Sequence, residues 1–157
     1  MPAPSITVVD SSDRTVTQWD NGVVQANSES AILDLIVWNN RGGSTALSDL
    51  KEANITALDV DGRAITEPIT NKWVRVNVPS IDGSDNVWTP VGGAIAKSLR
   101  ADGVDSSEGF VIKGEANDGT LTNSKNNYCS VRLKTRVPAG VDAGIRDWKM
   151  RIQGYFT

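Results

Sequence analysis

Two short stretches of the sequence place several oxygen donors within a few residues, as cation-binding loops do: Asp59-Val60-Asp61-Gly62 and Asp82-Gly83-Ser84-Asp85-Asn86. A calcium loop spaces its ligands regularly and closes on a bidentate glutamate, and neither stretch supplies the later ligands or that glutamate. Residues of these types serve more simply in turns, bonding their own backbone. Gly42-Gly43 and Gly92-Gly93 are not followed by the Lys-Ser/Thr pair of a phosphate cradle. The chain has no histidine, so no imidazole-based nucleophile triad can be assembled. Its single cysteine, Cys129, rules out a disulfide framework within the chain and a cysteine-rich zinc site. Cys129 lies on the apolar side of an alternating stretch and reads as an inert buried thiol. No spacing singles out a lysine- or carboxylate-based site. The expectation is a protein that is not an enzyme and holds no metal or cofactor.

The residues that suit binding are cations and tryptophans. The chain carries 16 basic and 19 acidic side chains, net −3, which argues against a dedicated nucleic-acid binder. The charge is uneven. Residues 1–124 hold 9 basic and 17 acidic side chains, whereas residues 125–157 hold 7 basic and 2 acidic. Such asymmetry marks either a docking surface or a solvated strand face. Five tryptophans are many for 157 residues. Trp38 and Trp148 fall on core-like patterns. Trp73 is out of phase with the valines after it; it or Trp88 could be covered by a loop or, on an exposed sheet face, stack on a sugar ring or anchor a neighbouring protein.

The elements that must position these residues read as strands. Short apolar or alternating runs recur at 5–9, 15–19, 23–26, 31–38, 53–60, 72–78, 87–91, 110–113, 128–137 and 148–156. Between them stand turn clusters such as Asp20-Asn21-Gly22, Asn39-Asn40-Arg41-Gly42-Gly43 and Pro138-Ala139-Gly140. That spacing predicts an all-β, antiparallel β-sandwich, immunoglobulin-like or jelly-roll-like, in one domain. Residues 1–14 form an N-terminal arm and first strand, and 15–157 the sandwich. A helical turn is a weaker expectation at 48–52. No stretch approaches the ~18 apolar residues of a membrane helix, and the first residues do not read as a secretory signal.

The last two strands alternate most clearly. Over 128–137, Cys129, Val131, Leu133, Thr135 and Val137 face a core, and Tyr128, Ser130, Arg132, Lys134 and Arg136 face out. Over 148–156, Trp148, Met150, Ile152 and Phe156 face in, with Lys149, Arg151, Gln153 and Tyr155 outward. The connection through Pro138–Arg146 would allow the two to pair, setting Arg132, Lys134 and Arg136 beside Lys149 and Arg151. Like charges so placed repel, and acidic side chains on a neighbouring strand, or a partner, must offset them.

Several local motifs carry a resemblance. They are Gln18-Trp19-Asp20 with Gly22, Val24 and Ala26, then Val37-Trp38-Asn39-Asn40-Arg41-Gly42-Gly43 and Ser48-Asp49-Leu50. In the tail they are Asn117-Asp118-Gly119, Asn123-Ser124, Asn127-Tyr128-Cys129-Ser130-Val131 with Leu133, and Val137-Pro138-Ala139-Gly140 with Ala143-Gly144. Together they resemble small virion structural proteins of tailed bacteriophages, which decorate the head or complete the tail. The resemblance implies an immunoglobulin-like or related sandwich, a place in the virion, and a docking partner in the major capsid protein lattice and in further copies of the chain. It carries over no catalytic residue and implies neither nucleic acid nor membrane as partner. The expected contacts are Arg132, Lys134, Arg136, Lys149, Arg151 and Trp73, together with the N-terminal arm. The competing expectations are a carbohydrate-binding or adhesive module using Trp73 or Trp88, and a tail or baseplate component.

Overall fold

The computed structural model describes residues 1–83 and 86–157. Its strands are β1 (Ile6–Asp10), β2 (Ser28–Glu29), β3 (Leu33–Asn39), β4 (Leu50–Leu58), β5 (Val74–Asn77), β6 (Thr89–Val91), β7 (Lys97–Ser98), β8 (Val111–Ile112), β9 (Tyr128–Val137) and β10 (Lys149–Tyr155). Two single-turn helices, α1 (Glu67–Thr70) and α2 (Pro79–Asp82), interrupt them. One sheet runs β1-β3-β9-β5-β6, with β2 continuing along β9 beyond β3; the other runs β10-β4-β7, with β8 also on β4. All pairings are antiparallel. The fold is an all-β sandwich, and its core is where the two inner faces meet.

Alternation builds that core. Leu35 and Val37 of β3 lie opposite Val131 and Cys129 of β9, and Val76 of β5 lies opposite Leu133. These side chains are buried against Ala53, Ile55 and Ala57 of β4, with Leu99 and Ile112 closing the ends. Val9, Trp38 and Tyr128 form a second cluster on the opposite face of the first sheet. The Trp38 and Tyr128 rings lie 4.8 Å apart and the Arg41 guanidinium sits 5.1 Å from the Trp38 ring centre. Tyr128, expected outward, is therefore only 6% exposed.

Several local expectations are corrected. Residues 15–19 form no strand. Thr15 bridges Val9, and Trp19 packs edge-on against Trp148 at 5.9 Å, so the segment spans the gap between the edges of the two sheets. Residues 23–26 are likewise outside any strand. The helical turn expected at 48–52 is instead the start of β4, with Glu52 at φ 49 in a bulge. Phe156, expected inward, lies beyond the end of β10 and is 50% exposed. The helices α1 and α2 are too short to leave a 3.6-residue period in the sequence. α1 delivers Ile69 to the core, and Gly92 is required beside it, because a Cβ there would collide with the Ile69 carbonyl.

Polar ties fasten the sheets to each other. Asp82 of α2, which follows β5 of the first sheet, binds Lys97 of β7 in the second at 2.8 Å in a largely buried ion pair. Nearby, Ser80 Oγ donates to the Arg100 carbonyl at 2.6 Å and Arg100 Nη2 donates to the Ser80 carbonyl at 2.7 Å.

Candidate functional site

The cations of β9 stand in a row on the outer face of the larger sheet. Arg132 lies between Asp34 of β3 and Asn77 of β5, and its Nε is 3.2 Å from the Asp34 carboxylate. Lys134, expected as an exposed contact, is instead buried: it lies opposite Arg75 under the Trp88 ring, and its Nζ binds the Glu29 carboxylate at 2.8 Å. Arg136 lies opposite Glu29, and its Nη2 donates to Asn27 Oδ1 at 3.2 Å. The Trp88 ring covers part of this row, with the Lys134 ammonium 4.3 Å and the Arg132 guanidinium 5.5 Å from its centre. The Lys134 hydrogen bond holds the Glu29 carboxyl below the usual carboxylate range, outweighing the opposing effect of partial burial. The repulsion expected among these cations is thus offset from within, by Asp34 and Glu29 on the flanking strands and by the tryptophan face.

β9 and β10 do not pair, contrary to expectation, and Arg132, Lys134 and Arg136 are not set beside Lys149 and Arg151. Both edges of β9 are already taken, by β3 and β2 on one side and β5 on the other. β10 crosses to the second sheet and completes it against β4. Alternation tells which face of a strand is buried, not which strand lies beside it.

On β10, Lys149, Arg151, Gln153 and Tyr155 are exposed, as expected, and Met150 and Ile152 are half-buried against the core. Among the described residues neither Lys149 nor Arg151 has an ion-pair partner. β10 lies so close to β4 that a Cβ on Gly154 would come within 2.6 Å of the Lys51 carbonyl oxygen.

Trp73 is the clearest correction to the expected site. It is 3% exposed and its indole N–H is buried without a hydrogen-bond partner, so it offers no face to a sugar or a protein. Trp88 is half-buried and bordered by two cations, with its indole N–H donating to Asn86 Oδ1 at 2.8 Å. The N-terminal arm also differs from expectation. The Ser48 N–H donates to the Pro2 carbonyl at 2.9 Å, and Ser5 bonds both the Asn39 side chain and the Asn40 backbone. The arm therefore lies on its own body.

Some of the motif residues that carry the resemblance gather at one end of the sandwich, around the start of β9, whereas Val137-Pro138-Ala139-Gly140 lies at its far end. Asn39 donates to the Ser48 and Ile112 carbonyls and accepts from the Ser5 N–H, at 3.0–3.2 Å. Asn127 donates to the Lys113 and Glu115 carbonyls at 3.1 and 2.8 Å, and Asn40 to the Thr45 and Gly114 carbonyls at 2.9 and 2.8 Å. Asn117 donates to the Asn40 carbonyl at 2.6 Å and accepts from Gly42 and Gly119. These amides join β3 and β9 of one sheet to the ends of β8 and β4 in the other. Buried backbone groups need such partners when no strand supplies them. The motifs are structural in this chain, and their spacing alone did not reveal the hub.

The oxygen-rich loop at 59–62 is satisfied by nearby donors of the chain, as is Asp118. Asp59 accepts from the Ile65 N–H at 2.9 Å and from the Thr66 hydroxyl, and these bonds lower its carboxyl below the usual range. Asp61 pairs with Arg63 at 2.7 Å. Asp118 accepts from Thr120, Asn123 and Ser124, and the Asn123 amide is the leading cause of its strongly lowered carboxyl. Of the stretch 82–86, residues 84–85 lie outside the described residues. Burial seals Cys129 and pushes its thiol far up. The described residues include a cleft of about 250 Å³ beside Arg132, lined by Ser11, Asp34, Ile36 and Pro79, and one of about 170 Å³ beside Tyr155. Small-molecule pockets typically run from roughly 300 Å³ upward.

No family model matches the chain, and neither a curated protein nor a solved structure is significantly similar to it.

Proposed function

We propose that the protein is a non-catalytic structural component of a tailed-phage virion, a head decoration protein that docks on the capsid lattice. The observation that carries the docking surface is the contrast between the two cationic strands. On β9 Arg132 and Lys134 are matched by carboxylates and Arg136 by an amide, whereas Lys149 and Arg151 of β10 point into solvent without an acidic partner among the described residues. Unmatched charges on a folded surface steer and orient a partner of opposite sign, here an acidic patch on the assembled shell. The repeated symmetry of a shell turns modest single contacts into stable coating. The motif resemblance supports the virion assignment.

The test is occupancy on purified heads. Lys149→Glu with Arg151→Glu is expected to give a folded protein that no longer coats particles, because both side chains are exposed. Undiminished coating by the folded double variant would overturn the placement of the contact on β10. Location of the wild-type protein on tails by labelled electron microscopy would replace the head assignment with the tail or baseplate one.

A further inference from the structure

The free edges of the two sheets are protected unequally. The outer edge of β1 is covered by its own chain: Thr15 bridges Val9, and the Val16 N–H donates to the Val8 carbonyl at 2.9 Å. β6 is three residues long with Pro90 at its centre, which removes a donor. β7 has two residues. β10 has seven, Lys149–Tyr155, with β4 along one edge and, among the described residues, no backbone partner along the other. Natural edges are kept single by shortness, proline, bulges, charged side chains or a covering segment; β10 carries outward Lys149 and Arg151, so a partner strand must place neither beside a like charge. β10 has no proline, the extra residue of its bulge belongs to β4, and its inward side chains Met150 and Ile152 are apolar and incompletely covered.

We propose that a second copy of this chain occupies that edge, β10 against β10, antiparallel about a two-fold axis at Ile152. Side-chain chemistry selects the register. Self-pairing must keep faces and hydrogen-bonding edges matched, so the axis passes through a residue. An axis at Met150 sets Lys149 opposite Arg151 twice, and one at Arg151 sets arginine opposite arginine. An axis at Gln153 pushes Lys149 and Met150 past the end of the partner strand. With the axis at Ile152 all seven residues are paired and no like charges face: Lys149 meets Tyr155, Arg151 meets Gln153, Met150 meets Gly154, and Ile152 meets itself. The two half-buried apolar side chains are then covered. A closed two-fold interface of this kind joins the two smaller sheets into one.

Gln153 tests the register by the sign of its effect. It is exposed, so neither substitution below disturbs the core. Sedimentation of the full chain over a concentration series is expected to show a monomer–dimer equilibrium. Gln153→Glu places a carboxylate opposite Arg151 of the other copy twice per dimer and is expected to tighten association roughly tenfold, while Gln153→Arg weakens it by a similar factor. A wild-type chain that stays monomeric into the millimolar range, or two substitutions that shift the equilibrium in the same direction, would overturn the proposal. Self-association is read without particles, so its failure is separate from any failure of capsid coating.

Discussion

β9 has neighbouring strands along both edges, whereas β10 has β4 along one and, among the described residues, no strand along the other. Both strands alternate cations with apolar residues. On β9 the flanking strands bring Asp34 and Glu29 to Arg132 and Lys134, and the inner side chains are sealed. On β10 the cations have no ion-pair partner among the described residues and the inner side chains are half-covered. Position in the sheet, not the pattern along the strand, decides whether a charge stabilises the fold or remains free for a partner.

That contrast can be broken most forcefully in the core. Leu133→Ala on β9 is expected to cost ~3 kcal/mol in a denaturant titration, and Ile152→Ala on β10 ~1 kcal/mol, because a half-buried side chain leaves a smaller cavity. Equal losses would remove the distinction between a sealed and an open strand. Asn127→Ala, which unfastens the start of β9 from the Asn39, Lys113 and Glu115 carbonyls, is expected to cost about 2 kcal/mol by removing the hydrogen bonds of a buried amide. At the level of single charges, Lys134→Met is expected to lower stability by up to about 1 kcal/mol, and Lys149→Met by less than about 0.5 kcal/mol. A Lys149 effect as large as that of Lys134 would mean that β10 has an acidic partner after all.

Acid provides the smallest and most selective probe. Glu29 and Asp118 have carboxyls lowered in the folded chain, so the unfolded chain binds more protons as the pH falls through the carboxylate range. Their stabilisation is therefore complete above about pH 5 and declines below it. Glu29→Gln is expected to flatten the acid limb of the melting temperature against pH, whereas Lys149→Met leaves that limb unchanged.

β9 shows how much of the fold was legible. The bounds predicted at 128–137 are those found, and Cys129, Val131, Leu133, Thr135 and Val137 are all buried as the alternation requires. Tyr128 broke the pattern because loops cover that end of the outer face, which no local period can register. β2 and β7, with two residues each, fall below any periodic signal, yet β2 supplies Glu29. The cations of the candidate site were visible as residue types, but their matching was not. Asp34 and Glu29 lie 98 and 105 residues before their partners in the chain, and only the sheet order brings them together. Trp73 misled for the same reason: being out of phase with the following valines signals an outward direction, and outward is still inside when other segments lie over it.

The sealed state of Cys129 has a practical corollary. Because the only thiol in the chain is fully enclosed and held protonated by its surroundings, maleimides and other alkylating reagents should pass over the native protein. A cysteine introduced at an outward position of β10 would then be the sole point of attachment, giving a stoichiometric handle for dyes, spin labels or tethered cargo without first removing the native sulfur.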